Sequence, residues 1–200
     1  MATPRSLVLA SASPARLRLL REAGFDPVVR VSGVDEAAVR EDDPWVLVRE
    51  LATRKAAAVA ESYGDKDALV VGCDSMLVLD GDVLGKPADA AEATERWRRM
   101  RGRTGVLLTG HCVTDVGSGR VATEVADTVV RFGNPNDDEI AAYVATGEPL
   151  HVAGAFTIDG RSSVFIDGVD GDPSNVVGLS LPLLRRLLAE LGVAVTSLWR

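Results

Sequence analysis

Several short stretches of the chain combine side chains suited to phosphate binding, metal binding or proton transfer. In SASPAR (Ser11 to Arg16), two hydroxyls and a proline lead into a segment of helical apolar period. Such a turn offers free N–H groups and the positive end of a helix dipole to an anion, and Arg16 and Arg18 add guanidinium groups for phosphate oxygens. The plainer reading is that Ser13 and Pro14 only start a helix and the arginines are solvated. Asp35 and Glu36, adjacent on a loop after a strand, suit Mg²⁺ but are equally ordinary as surface acids. Asp74 interrupts the apolar run VVGCDSMLVL, and an ionised carboxylate there needs a partner. A metal, a ligand or a lysine such as Lys55 can supply it, the last making a purely structural pair. Lys86 stands in GKP, and Arg101 and Arg103 in RGRT precede LLTG. His111, His151 and the turn-like GDPSN (Gly171 to Asn175) read as structural residues.

These residues need a scaffold, and the pattern predicts a mixed α/β one. SLVLA and DPVVRV read as strands flanking a helix that starts at Ser13-Pro14 and stops at Gly24. A second helix starts at Asp43-Pro44 and carries Trp45, Val48, Leu51, Ala52 and Ala56 on one period. DALVVGC reads as a buried strand and MLVLDGDVLG as a hairpin turning at Asp80-Gly81. AAEATERWRRM follows as a helix. VLLTGHCVTDV and RVATEVADTVVRF, joined through GSG, predict a long antiparallel hairpin. Asn136 and Glu139 have capping-box spacing before another helix. AFTIDG and SVFIDGV read as short strands, and LPLLRRLLAEL as a last helix ending at Gly192. Hairpins among the helices argue for a mixed sheet flanked by helices rather than a βαβ array.

The chain has 200 residues, 46% hydrophobic and 26% charged, a globular balance with room for one sizeable core. Aromatics are only 4%, which predicts a core of Leu, Val and Ala. A net charge of −7 argues against broad nucleic-acid or anionic-membrane binding, while leaving room for a local basic pocket. Cys73 and Cys112 have no metal-site or disulfide spacing and read as free buried thiols. With no long apolar segment in the sequence, a cytoplasmic protein is expected.

The order SxSPxR, VDE, Lys55-Ala56, GCDS, LGKP, GRT with TG, AGAF with Gly160, and GDPSNVVGL resembles the Maf family from about Leu7 to Leu187. Members of that family look like nucleoside triphosphate pyrophosphatases. The resemblance implies one domain over residues 1–200, with a long curved mixed sheet and two lobes around a cleft, as in inosine-triphosphate pyrophosphatases. It also implies a homodimer, a small-molecule nucleotide substrate and a divalent cation, Mg²⁺ or Mn²⁺. Under it, Asp74 is the catalytic proton acceptor, aided by Lys55 and Lys86, which neutralise the triphosphate. Ser11, Ser13 and Arg16 grip phosphates, Arg103 contacts substrate, and Glu36 and Asp74 surround the metal. Ser75 and Asp159 occupy the positions associated with base choice.

Ala15 and His151-Val152 depart from the commonest family pattern, removing one basic contact and the Asp-Lys pair before AG. Asp159, an acid where glutamine accompanies dTTP and UTP preference, leans towards 7-methyl-GTP, since a carboxylate accepts from guanine N–H groups. The competing reading is a nucleotide-binding regulator of cell division or septum formation with little catalysis, which would tolerate Asp74→Asn. An enzyme acting at the γ-phosphate is a further alternative, although G-x-x-x-x-G-K-[ST] is missing.

Overall fold

A computed structural model describes residues 5–200. Strands β1 (Ser6–Leu9), β2 (Val28–Val29), β3 (Ala68–Leu79), β4 (Asp82–Leu84), β5 (Thr104–Asp115), β6 (Val121–Phe132) and β7 (Ile166–Gly171) form one seven-stranded sheet. Its order is β2-β1-β3-β5-β6-β7, with β4 paired to β3. β1 runs parallel to β2 and β3, whereas β3–β4 and β6–β7 are antiparallel. The sheet is therefore mixed, as the hairpin signals require. Helices α1 (Pro14–Glu22), α2 (Pro44–Ser62), α3 (Ala90–Met100), α4 (Asp137–Ala145), α5 (Pro173–Val177) and α6 (Leu181–Glu190) flank it.

Local chemistry accounts for most element ends. Ser13, Asp43, Asp89, Asn136 and Ser180 each cap a helix with a side-chain oxygen, and Asn136 with Glu139 completes the expected capping box. Asp80 and Gly81 turn the β3–β4 hairpin with φ of 52° and 89°, the two left-handed residues of a type I′ turn.

Four expectations need correcting. DALVVGC and MLVL are one strand, β3, which runs straight through Asp74. DPVVRV yields only the two exposed residues of β2, because its outward side chains find nothing to pack on. AFTIDG is irregular: its first residue, Ala155, has a φ of 61°, which no strand permits, and the rest forms neither strand nor helix. GDPSN ends β7 and opens α5 instead of forming a simple turn, and Asn175 is fully buried, donating to the Leu107 carbonyl and the Thr128 hydroxyl.

Contacts divide the chain into two compact units. The first takes in residues 5–74, Thr109–Ala126 and Gly178–Arg200. Alternation along β1 and β3 sends Leu7, Leu9, Leu69, Val71 and Cys73 into one cluster with Leu20 and the leucines of α6. Val8, Val70 and Ala68 go into another, with Ala52, Ala56 and Val59 of α2. Cys73 and Cys112 fall in different clusters and are both free and buried, as the sequence suggested. The second unit comprises Ser75–Leu108 and Asp127–Val177. Its core gathers Trp97, Phe132, Tyr143, Phe156 and Phe165 in edge-to-face contacts. The aliphatic core expected from composition holds in both units, and the second adds this aromatic cluster to its buried Leu77, Leu79, Leu84, Leu107, Val130 and Ile140.

Among the described residues, no helix is long and apolar enough to cross a membrane.

Candidate active site

Side chains alternate along β3, so Val70, Gly72 and Asp74 share the face that α2 covers. At Gly72 a Cβ would lie 2.8 Å from the Ala56 nitrogen and would strike the Ala52 carbonyl, so α2 packs directly on the strand backbone. At Gly110 on β5, a Cβ would lie 2.8 Å from the Arg49 nitrogen. This close approach lets Lys55, on the buried face of α2, reach Asp74.

The Lys55 ammonium donates to Asp74 Oδ1 at 2.5 Å and pairs with Glu36 Oε1 at 2.6 Å. Lys55 and Asp74 are only 7% and 6% exposed. Glu36 is exposed and sits at the start of a 3-10 turn (Glu36–Ala38), where the Asp35 carboxylate accepts from the Ala37 N–H. Asp74 Oδ2 is buried and has no hydrogen-bond partner among the described residues. Burial raises the Asp74 pKa above the usual carboxylate value, and this outweighs the opposing pull of Lys55 and then Arg16. A carboxylate held this way has one oxygen fixed by a lysine and the other unengaged.

The SASPAR turn lies on the opposite face. Ser13 accepts from the Arg16 N–H at 3.4 Å, and Ser11 Oγ accepts from the Ser13 N–H at 3.2 Å. Arg16 is not solvated but only 9% exposed. Its Nε donates to the Gly178 carbonyl at 2.7 Å, and Nη1 donates to the Cys73 carbonyl at 2.9 Å and to Ser11 Oγ at 3.1 Å. Arg18 is exposed near Glu22.

The first unit thus gathers Ser11, Ser13, Arg16, Glu36, Lys55 and Asp74. Ser75, Lys86, Arg103 and Asp159 belong to the second. Ser75 is half-buried on β3, and Lys86 is exposed after β4. The Arg103 guanidinium pairs with Asp80 at the β3–β4 turn. Asp159 accepts from the Thr157 hydroxyl, in a loop that Glu148 braces by accepting from the Arg161 N–H at 2.9 Å and the Ser162 N–H at 3.4 Å.

Sequence reasoning missed Glu148, Gly178 and the Cys73 carbonyl. Nothing local distinguishes them, since each acts through a partner far along the chain or through its backbone. His111 is buried and satisfied: the Ser180 N–H donates to Nε2 at 2.8 Å, which leaves Nδ1 to donate to the Thr109 carbonyl at 2.9 Å.

A family model described as Maf-like protein matches residues 6–191. The nucleoside triphosphate pyrophosphatase of Streptomyces coelicolor is 67% identical over 195 residues, covering 98% of this chain and 95% of that protein. That of Streptomyces avermitilis is 63% identical with the same coverage. The Salinispora tropica protein of the same name is 59% identical over 98% of this chain and 88% of its own length.

Proposed function

The chain belongs to the Maf-like protein family, and from that premise we propose that it hydrolyses nucleoside triphosphates between the α- and β-phosphates, releasing nucleoside monophosphate and pyrophosphate. The observation that carries this reading is Asp74: a buried carboxylate with Oδ1 held by Lys55 and Oδ2 unengaged. In the proposed reaction Oδ2 orients a water and takes its proton. The water oxygen bonds to the α-phosphorus as the bridging Pα–O bond breaks, and that electron pair leaves with pyrophosphate. Lys55 keeps the carboxylate aimed and offsets phosphate charge. Ser11 and Ser13 present the N-terminus of α1 to phosphate oxygens. Lys86 is assigned to the β- and γ-phosphates.

A divalent cation fits the donors in part. Among the described residues no three His, Cys, Asp or Glu side chains gather as a cage. Asp74 Oδ2 and Glu36 nevertheless offer hard oxygen donors, and Mg²⁺ commonly binds through one or two carboxylates with phosphate and water completing the shell. When bound, it would supply Lewis acidity at the phosphate oxygens.

Base choice is assigned to Ser75 and Asp159. An acid at 159 favours a guanine-type edge, with N–H groups to donate, over thymine, and supports 7-methyl-GTP as a preferred substrate.

The test is product analysis with Mg²⁺ and a panel of dTTP, UTP, CTP, GTP and 7-methyl-GTP in ¹⁸O-water, with Asp74→Asn alongside. Labelled monophosphate plus unlabelled pyrophosphate, lost in the variant, is the expected result. Diphosphate plus phosphate would move the cut to the γ-position and overturn the mechanism. Equal turnover of dTTP and 7-methyl-GTP would remove the base assignment.

A further inference from the structure

Arginine in a phosphate-binding turn invites the assignment that it holds phosphate, yet the Arg16 side chain is engaged elsewhere. Its Nε and Nη1 reach three acceptors of the first unit: Ser11 Oγ in the same turn and, from distant parts of the chain, the Cys73 and Gly178 carbonyls. Cys73 is the residue whose peptide leads directly into Asp74. We infer that Arg16 is a positioning residue: it fixes the backbone of β3 at Cys73, and through it the direction of the Asp74 carboxylate, rather than serving as a phosphate ligand.

The geometry supports this in two ways. A guanidinium has its donors in one rigid plane, so holding carbonyls from β3 and from the segment before α6 fixes both against the α1 turn at once. Buried carbonyls also need donors, and Arg16 supplies them from a side chain that is itself 9% exposed. Gly178 is shaped to admit it. Its φ is +117°, and a Cβ there would stand 3.2 Å from Arg16 Nε, against the bond to its own carbonyl. A glycine at 178 is thus part of the arginine's seat.

Lysine at 16 keeps the positive charge and loses the fork. This inference rests on the proposed pyrophosphatase reading, and its outcome is separable from that reading. The measurements are kcat and KM for pyrophosphate release and calorimetric affinity for an α,β-methylene nucleotide. The proteins are the wild type, Arg16→Lys and Gly178→Ala, each normalised to folded protein. Positioning predicts that Arg16→Lys lowers kcat about 10- to 100-fold, the scale of a small misplacement of reacting groups, with KM and analogue affinity within about twofold. Gly178→Ala, which touches no phosphate in either account, should reproduce part of that loss in kcat, and the double variant should lose less than the product of the two. An Arg16→Lys protein with unchanged kcat and a tenfold weaker KM and analogue affinity would make Arg16 a phosphate ligand and overturn the inference. So would a Gly178→Ala protein with wild-type kcat, or variants whose only change is a lower melting temperature. A wild-type enzyme with no pyrophosphate release at all would instead sink the proposed function.

Discussion

The two units of the molecule share an aliphatic core and differ in what they bury beside it. The first packs leucine, valine and alanine and then places Asp74, Lys55 and Arg16 among them. The second has an aromatic centre in which Trp97 meets Phe132, Tyr143 and Phe165 edge-on, while Phe156 stacks edge-on against Phe132. Edge-to-face rings add to stability beyond the area they bury, whereas buried charges give up hydration that their partners repay only in part. A fold does not need Asp74 with an unengaged oxygen in order to hold together. Its presence points to chemistry, and the aromatic cluster points to structure.

That contrast is open to direct attack. The largest effect is expected from Asp74→Asn, which should reduce kcat for pyrophosphate release by about 10²- to 10⁴-fold, the usual range for a general base. Its melting temperature should move little, since the asparagine carbonyl still accepts from Lys55 and Glu36 still pairs with it. A collapse in stability would make Asp74 structural and erase the contrast. Trp97→Ala should do the reverse. Loss of a fully buried indole that donates to the Ala155 carbonyl at 2.8 Å should cost about 3–5 kcal/mol in urea unfolding, with activity per folded molecule retained.

Asp115 is a second buried carboxylate of the first unit, one with no proposed part in the reaction. Burial pushes its pKa up, but hydrogen bonds from Arg5, Ser118 and Gly117 more than offset this and leave it below the ordinary value. A depressed carboxylate stabilises the fold above its unfolded pKa and loses that contribution as pH falls through the folded one. Asp115→Asn should therefore cost about 2 kcal/mol at neutral pH, the scale of hydrogen bonds to a charged group. The gap to wild type should close as chemical unfolding is followed into acid; a gap constant with pH would refute the ionic account. The smallest effect is expected at the edge of the second unit. Asn136→Ala removes the α4 cap, for about 1 kcal/mol lost in the same assay.

Much of this was legible in the residue order where a rule is local. The Asp80-Gly81 turn, the Asn136 box and the full span of α3 follow from neighbours within a few residues. The pairing of Asp74 with Lys55 was one of the partners that burial demanded, and the helical face of α2 made it reachable. What could not be read depends on contacts across the chain. Ala155 adopts φ of 61°, a conformation its own side chain disfavours, in a loop whose carbonyl receives the Trp97 indole. The aromatic core was hidden by composition, since a few rings gathered in one place escape a whole-chain average. Glu36 completes its ion pair with Lys55 from an ordinary-looking loop, and nothing near it in sequence sets it apart from other surface acids. Arg16 reads from its neighbours as a phosphate-gripping or a solvated arginine, because the acceptors that hold it include the distant backbones of Cys73 and Gly178.

Gly72 and Gly110 act as a gauge block. By bringing α2 onto the bare backbone of β3 and β5, they make the reach of Lys55 a matter of main-chain thickness rather than of side-chain choice. A methyl at either position would work like a shim, lifting the helix and drawing the ammonium off the carboxylate with every named catalytic residue still present in the chain. Inactivity in such a variant would be a fault of tolerance, not of parts, and no trimming on the helix side would restore it, because the atoms in the way are the backbone of Ala52 and Ala56 at Gly72 and of Val48 and Arg49 at Gly110.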